Sequence, residues 1–292
     1  MTKDNLRLEL TGDGSFTFFS PEFGETFHSH HGARQEAELK FVEPTQLRVT
    51  AHKPVVRLLD VCYGLGYNTA AAIAAIWEVN PDCKVDWVGL ELDPDVAKQA
   101  IAHHLLAQWP PPLPELLGEL VENQVLQTKN ITARLLVGDA RQTIEQVVAS
   151  GFKADAIFLD PFSPPKCPQL WTVEFLGLVA QCLGSTGRLA TYSCSAAVRV
   201  ALMAAGLRVG STPPVGRRSP GTVASFMDNG LPPLSQQELE HLQTRAAIPY
   251  RDPNLCDEAA AIVHRRQIEQ QASALEPTGI WKKRHQLPLS TW

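Results

Sequence analysis

The run Val55-Val56-Arg57-Leu58-Leu59-Asp60-Val61-Cys62-Tyr63-Gly64-Leu65-Gly66 constrains this chain more than any other stretch. An apolar, β-branched-rich segment of strand length meets an acid, Asp60, and a Gly-x-Gly turn follows. The turn opens into the Ala-rich run 70–77, which reads as a helix. Strand, glycine turn and helix make the first half of a doubly wound α/β sheet, in which ligands sit beyond the carboxyl ends of the strands. The two glycines let the backbone approach such a ligand closely.

The remaining pattern extends that sheet. Segments 84–93, 135–140, 154–160 and 187–194 read as further strands, the first three closing on acids. Helices are predicted from Pro94 to His104, over 172–183 and over 195–205, with short strands at 207–212 and 222–227. The Pro-rich and Leu-rich stretch 110–125 reads as an insertion capping the sheet. Ahead of it, 6–10 and 15–19 alternate around Thr11-Gly12-Asp13-Gly14 as a β-hairpin, and 35–42 reads as a helix ended by Pro44. A helical stretch near 257–273 lies in a polar C-terminal region. The expected division is an N-terminal hairpin and cap over 1–50, a central domain over 51–230 and a C-terminal helical extension over 231–292.

Charge and cysteine content narrow the setting. The net charge of −5 is uneven: residues 199–292 carry 11 Lys and Arg against 8 Asp and Glu, or +3, which leaves −8 on the rest. A nucleic-acid partner would therefore be met mainly by the C-terminal part. The six cysteines form no C-x-x-C pair and no metal-ligand spacing, so reduced thiols, a cytoplasmic protein and no metal are expected. The start shows no apolar leader, and no apolar run reaches the roughly 20 residues that cross a bilayer.

The strand ends carry the chemistry. A dinucleotide fingerprint would place Gly or Ala at position 69, where this chain has Thr69, which argues against NAD or FAD. Glu91, 25 residues beyond Gly66, is placed to accept hydrogen bonds from ribose hydroxyls. Asp139, followed by Ala140, suits an exocyclic adenine amine. Asp160-Pro161-Phe162 ends the fourth strand. Glycine turn, ribose acid, Gly-Asp and Asp-Pro-aromatic at successive strand ends are the ordered marks of a class I S-adenosylmethionine methyltransferase, a Rossmann-like α/β fold. The last of them is similar to the Asp/Asn-Pro-Pro-aromatic loop of amine methyltransferases. There an acid or carbonyl holds the amine hydrogens, the lone pair faces the methyl, and an aromatic face stabilises the cationic centre. The structural alternative for Asp160 is a helix N-cap.

Over residues 15–228 the chain resembles the methyltransferase part of the bifunctional enzymes that make 5-methylaminomethyl-2-thiouridine in tRNA, and more closely its stand-alone form. The residues carrying this are Phe19-Ser20-Pro21, Gly24-Glu25-Thr26, Gly64-Leu65-Gly66-Tyr67-Asn68, Glu91, Gly138-Asp139, the block 155–172, 187–193, Arg199 and Gly216-Arg217-Arg218. The resemblance implies methyl transfer from S-adenosylmethionine to the 5-aminomethyl group of a wobble uridine. The implied cofactor set is Glu36, Asp60, Gly64, Gly66, Asn68, Glu91, Asp139 and Ala140, with Asp160 at its edge. Asp160 and Phe162 form the implied catalytic pair. The bifunctional relatives have Asp-Gly-Phe where this chain has Asp160-Pro161-Phe162. No second dinucleotide fingerprint follows residue 230, so the aminomethyl substrate is expected to be supplied by another enzyme.

Lys166, Arg199, Arg217 and Arg218 are candidate contacts to the phosphates of a tRNA anticodon loop, and Trp171 and Phe162 are candidate stacking faces for a splayed base. The cluster Lys282-Lys283-Arg284-His285 is either a further contact or a solvated tail. Three rivals stand beside this reading: an aminopropyltransferase or small-amine methyltransferase, which needs an acidic groove; a Rossmann oxidoreductase; and a non-catalytic RNA-binding protein on a methyltransferase fold.

Overall fold

The computed structural model describes residues 6–216, 219–228 and 230–285. Its N-terminal part is a three-stranded antiparallel sheet, β1 (Arg7–Leu10), β2 (Phe16–Ser20) and β3 (Glu25–Thr26). Helix α1 (Ala33–Glu36) continues as a π-helical turn, Ala37–Val42, before α2 (Leu47–Thr50). The helix expected at 35–42 is therefore present but partly overwide, the kind of irregularity frequent at functional sites.

The main sheet is built from β4 (Val55–Val61), β5 (Lys84–Glu91), β6 (Val125–Gln127), β7 (Ile131–Val137), β8 (Ala154–Leu159), β9 (Leu183–Thr191), β10 (Arg208–Thr212) and β11 (Gly221–Ser225). Its order is β10-β11-β9-β8-β4-β5-β7-β6. The five central strands run parallel, and the edge strands β6, β11 and β10 pair antiparallel. From β4 the chain winds outward through β5 to β7, then returns to the other side of β4 for β8 and β9. The switch point between β4 and β8 is where such sheets open a crevice for a ligand.

The central strands are covered on both faces. In β4, Val56 and Leu58 enter one core while Leu59 and Val61 enter the other. In β5, Val85 and Trp87 face the first core, and Val88 and Leu90 the second. This explains their near-continuous apolar sequence. The first core is closed by α3 (Tyr67–Val79), α4 (Pro94–Ala102) and α5 (Leu113–Asn123). The second is closed by α6 (Ala140–Ala149), α7 (Val173–Gln181) and α8 (Ala196–Ala204). Gly89 is required where it stands: a Cβ there would lie 2.1 Å from the Trp87 ring. The predicted helix after the glycine turn begins three residues earlier than expected, because Gly66 at φ 82° supplies its left-handed N-cap.

The C-terminal region adds α9 (Gln236–His241), α10 (Ala259–Ala272) and α11 (Thr278–Arg284). It is fastened to the second core through Ile262 and Tyr250, and Tyr250 forms a parallel bridge with Thr172. No helix among the described residues is long and apolar enough to cross a membrane.

Several cations of this region are paired with carboxylates of the chain. Arg208, Arg251, Arg265 and Arg284 pair with Asp228, Glu174, Asp257 and Glu276. Arg199 is fully buried: it meets Glu238 at 2.8 Å and donates to Thr222 Oγ1 at 3.0 Å and to the Gly221 carbonyl at 3.2 Å. It is thus a core ion-pair residue joining α8, β11 and α9, and it cannot reach a phosphate. Removing one member of such a pair strands the other charge in a poor solvent. Arg199→Ala is therefore expected to lower the unfolding free energy by about 3–5 kcal/mol. Urea denaturation measures this, and a loss under about 1 kcal/mol would contradict the assigned role.

Candidate active site

A cleft of about 740 Å³ opens at the carboxyl ends of β4, β5, β7 and β8, roofed by residues 20–28 of the N-terminal sheet. Its geometry begins at the turn after β4. Cys62, Gly64 and Gly66 all have left-handed backbones, with φ of 71°, 57° and 82°. The Cys62 and Tyr63 N–H groups both donate to the Leu90 carbonyl at 3.0 Å, which holds the turn against β5. Glu91 completes the junction: one carboxylate oxygen accepts from Gly64 N–H at 2.8 Å and the other from Asp93 N–H at 2.9 Å. Burial raises the Glu91 carboxyl above its usual range, opposed by those backbone donors.

Of the expected cofactor residues, Glu36, Gly64, Glu91, Asp139, Ala140 and Asp160 line this cleft. Three others stand behind its wall. Asp60 has no exposed surface and accepts from Thr69 Oγ1 at 2.6 Å; Thr69 in turn accepts from Trp87 Nε1 at 3.0 Å. Burial pushes the Asp60 carboxyl up to about 7 despite the Thr69 hydrogen bond. Asp60 is thus a core acid that braces α3 against the sheet rather than a direct ligand contact. Gly66 abuts the Tyr63 hydroxyl, where a Cβ would come within 2.6 Å. Asn68 reaches the cleft only through Asp160, donating from Nδ2 to Oδ2 at 2.8 Å.

Asp139 sits at the tip of β7, caps α6 by accepting from Arg141 N–H at 2.9 Å, and is gripped by the Arg141 side chain at 2.7 Å. Burial alone would raise its carboxyl, but the Arg141 hydrogen bonds and charge hold it below the usual value.

The loop after β8 is pinned atom by atom. Asp160 N–H donates to the Val61 carbonyl at 3.1 Å and continues the strand pairing. Tyr192 Oη donates to the Pro161 carbonyl at 2.9 Å, and Trp171 Nε1 to the Phe162 carbonyl at 2.9 Å. The Ser163 hydroxyl donates to Glu25 at 2.6 Å, tying the loop to β3. Phe162 lies in the cleft, stacked on Phe23 at 4.1 Å and edge-on to Phe27 at 5.0 Å. Trp171 has no exposed surface, so its ring offers no face to a base; it is a strut for the loop. Lys166 is exposed, with its ammonium over Gly24. Arg217 and Arg218 lie outside the described residues.

Several cleft residues had no assigned role in the sequence analysis. Phe23, Glu25 and Tyr192 reach the loop from elements remote in sequence. Lys40, on the π-helical turn, is buried and meets Glu36 at 2.6 Å; their i, i+4 spacing was the available signal. Burial would raise Glu36, but Lys40, His28 and the Ser29 N–H keep it below its usual range. The Gln169 Oε1 is a buried cleft acceptor with no hydrogen-bond partner among the described residues. Carboxylates of Glu22, Glu25, Glu36, Glu91, Asp139 and Asp160 face cations from Lys40 and Arg141, so among the described residues the lining is acidic and suits a cationic guest. No cluster of three or more His, Cys, Asp or Glu side chains among the described residues is placed to hold a metal ion.

Comparison with known proteins gives the family. Residues 97–227 match a family described as S-adenosyl-L-methionine-dependent methyltransferase. The structure of MnmC2 from Aquifex aeolicus superposes with a TM-score of 0.80 at 34% identity, covering 93% of this chain and 87% of that one. The bifunctional tRNA 5-methylaminomethyl-2-thiouridine biosynthesis protein MnmC of Ralstonia nicotianae is 31% identical over 75% of this chain and 34% of its own length. An uncharacterized protein of Methanocaldococcus jannaschii is 29% identical over 87% of this chain and 69% of its own. The chain thus spans about a third of the bifunctional relative. It belongs to the MnmC2 family of S-adenosylmethionine-dependent methyltransferases, with a class I α/β fold. The residues present suit that cofactor. The left-handed Gly64 opens the turn, and the Glu91 and Asp139 carboxylates stand at two neighbouring strand tips of a crevice large enough for a nucleoside.

His28 yields a test of the roof. It is buried edge-on to Tyr67 at 5.1 Å, and burial drives its imidazole down to about 4, against the pull of Glu36 and Asp13. A neutral buried imidazole favours the fold above its unfolded pKa of 6.5, and that contribution is lost as pH falls through about 4. Its size is at most about 3 kcal/mol. His28→Phe keeps the ring but removes the titration. Between pH 7 and pH 4.5 the parent should lose more stability than this variant in urea melts. Parallel curves would remove His28 from the account.

Proposed function

We propose that this chain transfers the methyl of S-adenosylmethionine to the primary amine of a 5-aminomethyluridine at the wobble position of tRNA. The relatives' names support the tRNA substrate, and the acidic cleft supports an amine. One observation carries the assignment of chemistry. The carbonyls of Pro161 and Phe162 already accept protein donors, whereas Asp160 keeps one carboxylate oxygen beyond its Asn68 bond and faces the cleft.

When bound, the cofactor supplies a methyl made electrophilic by its sulfonium. The protein's own part is to orient an amine and take its proton. Asp160 would accept a hydrogen bond from the amine, and Asn68 would fix the carboxylate so that the nitrogen lone pair points at the methyl. Enclosure drives the Asp160 carboxyl well above its ordinary range, opposed by the Asn68 bond and reinforced by Glu36 and Asp60. An acid so raised is matched to receive the proton that an amine must shed near neutral pH. Phe162, packed between Phe23 and Phe27, would wall the amine from water and offer a ring to the cationic centre. Glu91 would hold the ribose, and Asp139 with the Ala140 N–H the adenine.

A second reading, a small free amine as acceptor, is favoured by the same acidic lining. Replacing tRNA by the free nucleoside in the assay separates the two: retained turnover on the nucleoside would favour the small substrate.

Two variants test the proposal. Asp160→Asn should leave S-adenosylhomocysteine affinity nearly unchanged and slow single-turnover methylation of aminomethyl-bearing tRNA by roughly 10²-fold or more. A variant that turns over normally would end the amine-orienting role. Glu91→Ala should weaken S-adenosylhomocysteine by about 1–3 kcal/mol in calorimetry. Unchanged affinity would remove Glu91 from the cofactor site.

A further inference from the structure

Arg141 stands between two carboxylates from distant parts of the chain. On one side its Nη2 donates to Asp139 Oδ2 at 2.7 Å, and its Nε lies 3.1 and 3.2 Å from the two oxygens of the same group. On the other side its Nη1 donates to Asp252 Oδ2 and to the Asp257 carbonyl, both at 2.9 Å. The guanidinium is planar, so fixing Nη1 fixes the plane of the fork that grips Asp139.

The anchor is itself immobile. Asp252 has no exposed surface; its Oδ1 accepts from the N–H groups of Cys256 and Asp257 at 3.1 Å, and its own N–H donates to Glu174 at 2.8 Å. The segment that carries it is sewn to the start of α7, where Val173 N–H donates to the Tyr250 carbonyl at 3.1 Å. An Asp–Arg–Asp chain therefore runs from a buried C-terminal turn to the tip of β7.

We propose that Asp252 is a positioning residue for the cofactor: through Arg141 it sets the direction in which Asp139 presents its remaining acceptor capacity to the exocyclic amine of adenine. The C-terminal segment thereby completes a site whose other members come from the strand tips of the sheet. This rests on the reading of Asp139 given above.

Base discrimination is the readout, because loss of a merely structural residue lowers all affinities together and leaves their ratio alone. Calorimetry compares S-adenosylhomocysteine with S-inosylhomocysteine, which carries an exocyclic carbonyl oxygen in place of the amine. The parent should prefer the adenosyl form by about tenfold or more, the value of one hydrogen bond to a charged acceptor. Asp252→Asn should bring the ratio to within about threefold of unity, as should Asp139→Ala. If Asp139→Ala loses the preference and Asp252→Asn keeps it, the positioning role is overturned while the adenine reading stands. If Asp139→Ala keeps the preference, the adenine reading falls and the positioning role with it. Should circular dichroism show that Asp252→Asn does not fold, Arg141→Lys takes its place: it keeps the charge but cannot span both carboxylates. Retention of the preference in that variant overturns the proposal equally.

Discussion

The Glu91 carboxylate is the junction on which the site depends. It joins the tip of β5 to the turn after β4 by taking Gly64 N–H and the next turn's Asp93 N–H. Without it the Gly64 N–H, in the middle of the left-handed run at 62, 64 and 66, would lose its partner. Cys62 is not a glycine, and its φ of 71° costs about 1 kcal/mol or more. Its own N–H and that of Tyr63 converge on the Leu90 carbonyl, so the sheet bears the strain. Two adjacent parallel strands thus maintain a backbone that isolated loop residues would relax.

The loop after β8 is held by the same logic with different atoms. The Val61 carbonyl, Tyr192, Trp171 and Glu25 fix residues 160–163 in turn. Beside the Gln169 Oε1, the polar groups left facing the cleft are mainly side-chain carboxylates, two of them already balanced: Glu36 by Lys40 and Asp139 by Arg141. Asp160 has a neutral amide as its direct partner, and burial drives its carboxyl well above the ordinary range against that hydrogen bond.

The strand ends were legible from sequence because alternation, β-branching and glycine turns act locally, and every central strand was found within a few residues. Burial was harder to read from residue type. Trp171 and Arg199 have the side chains of a base platform and a phosphate contact, yet both lie in the core, because the 3-10 turn Pro168–Trp171 and helix α8 turn them inward. Thr69, which broke the dinucleotide pattern, turns out to link Asp60 to the Trp87 indole, a role no pattern along the chain reveals. Glu25 and Asp252 act across 138 and 111 residues, and neither lies in a periodic segment. What was missed is what the tertiary fold alone brings together.

The charge distribution bears on how such a cleft would meet a polyanion. An acidic lining repels phosphates, while the amine of the proposed substrate is cationic in water. On the proposed reading these demands are reconciled if only the modified base enters the cleft and the backbone stays at the rim, as proteins treat unstacked bases in RNA loops. The rim would then need cations free of internal partners. The arginines at 199, 208, 251, 265 and 284 are spent on carboxylates of this chain, and borrowing them would expose those carboxylates to the RNA. Lys166 is differently placed: it is exposed, on the same loop as Asp160, and beside the hairpin end that roofs the cleft. On the proposed reading, Lys166 would meet a phosphate of the entering loop at the mouth of the cleft.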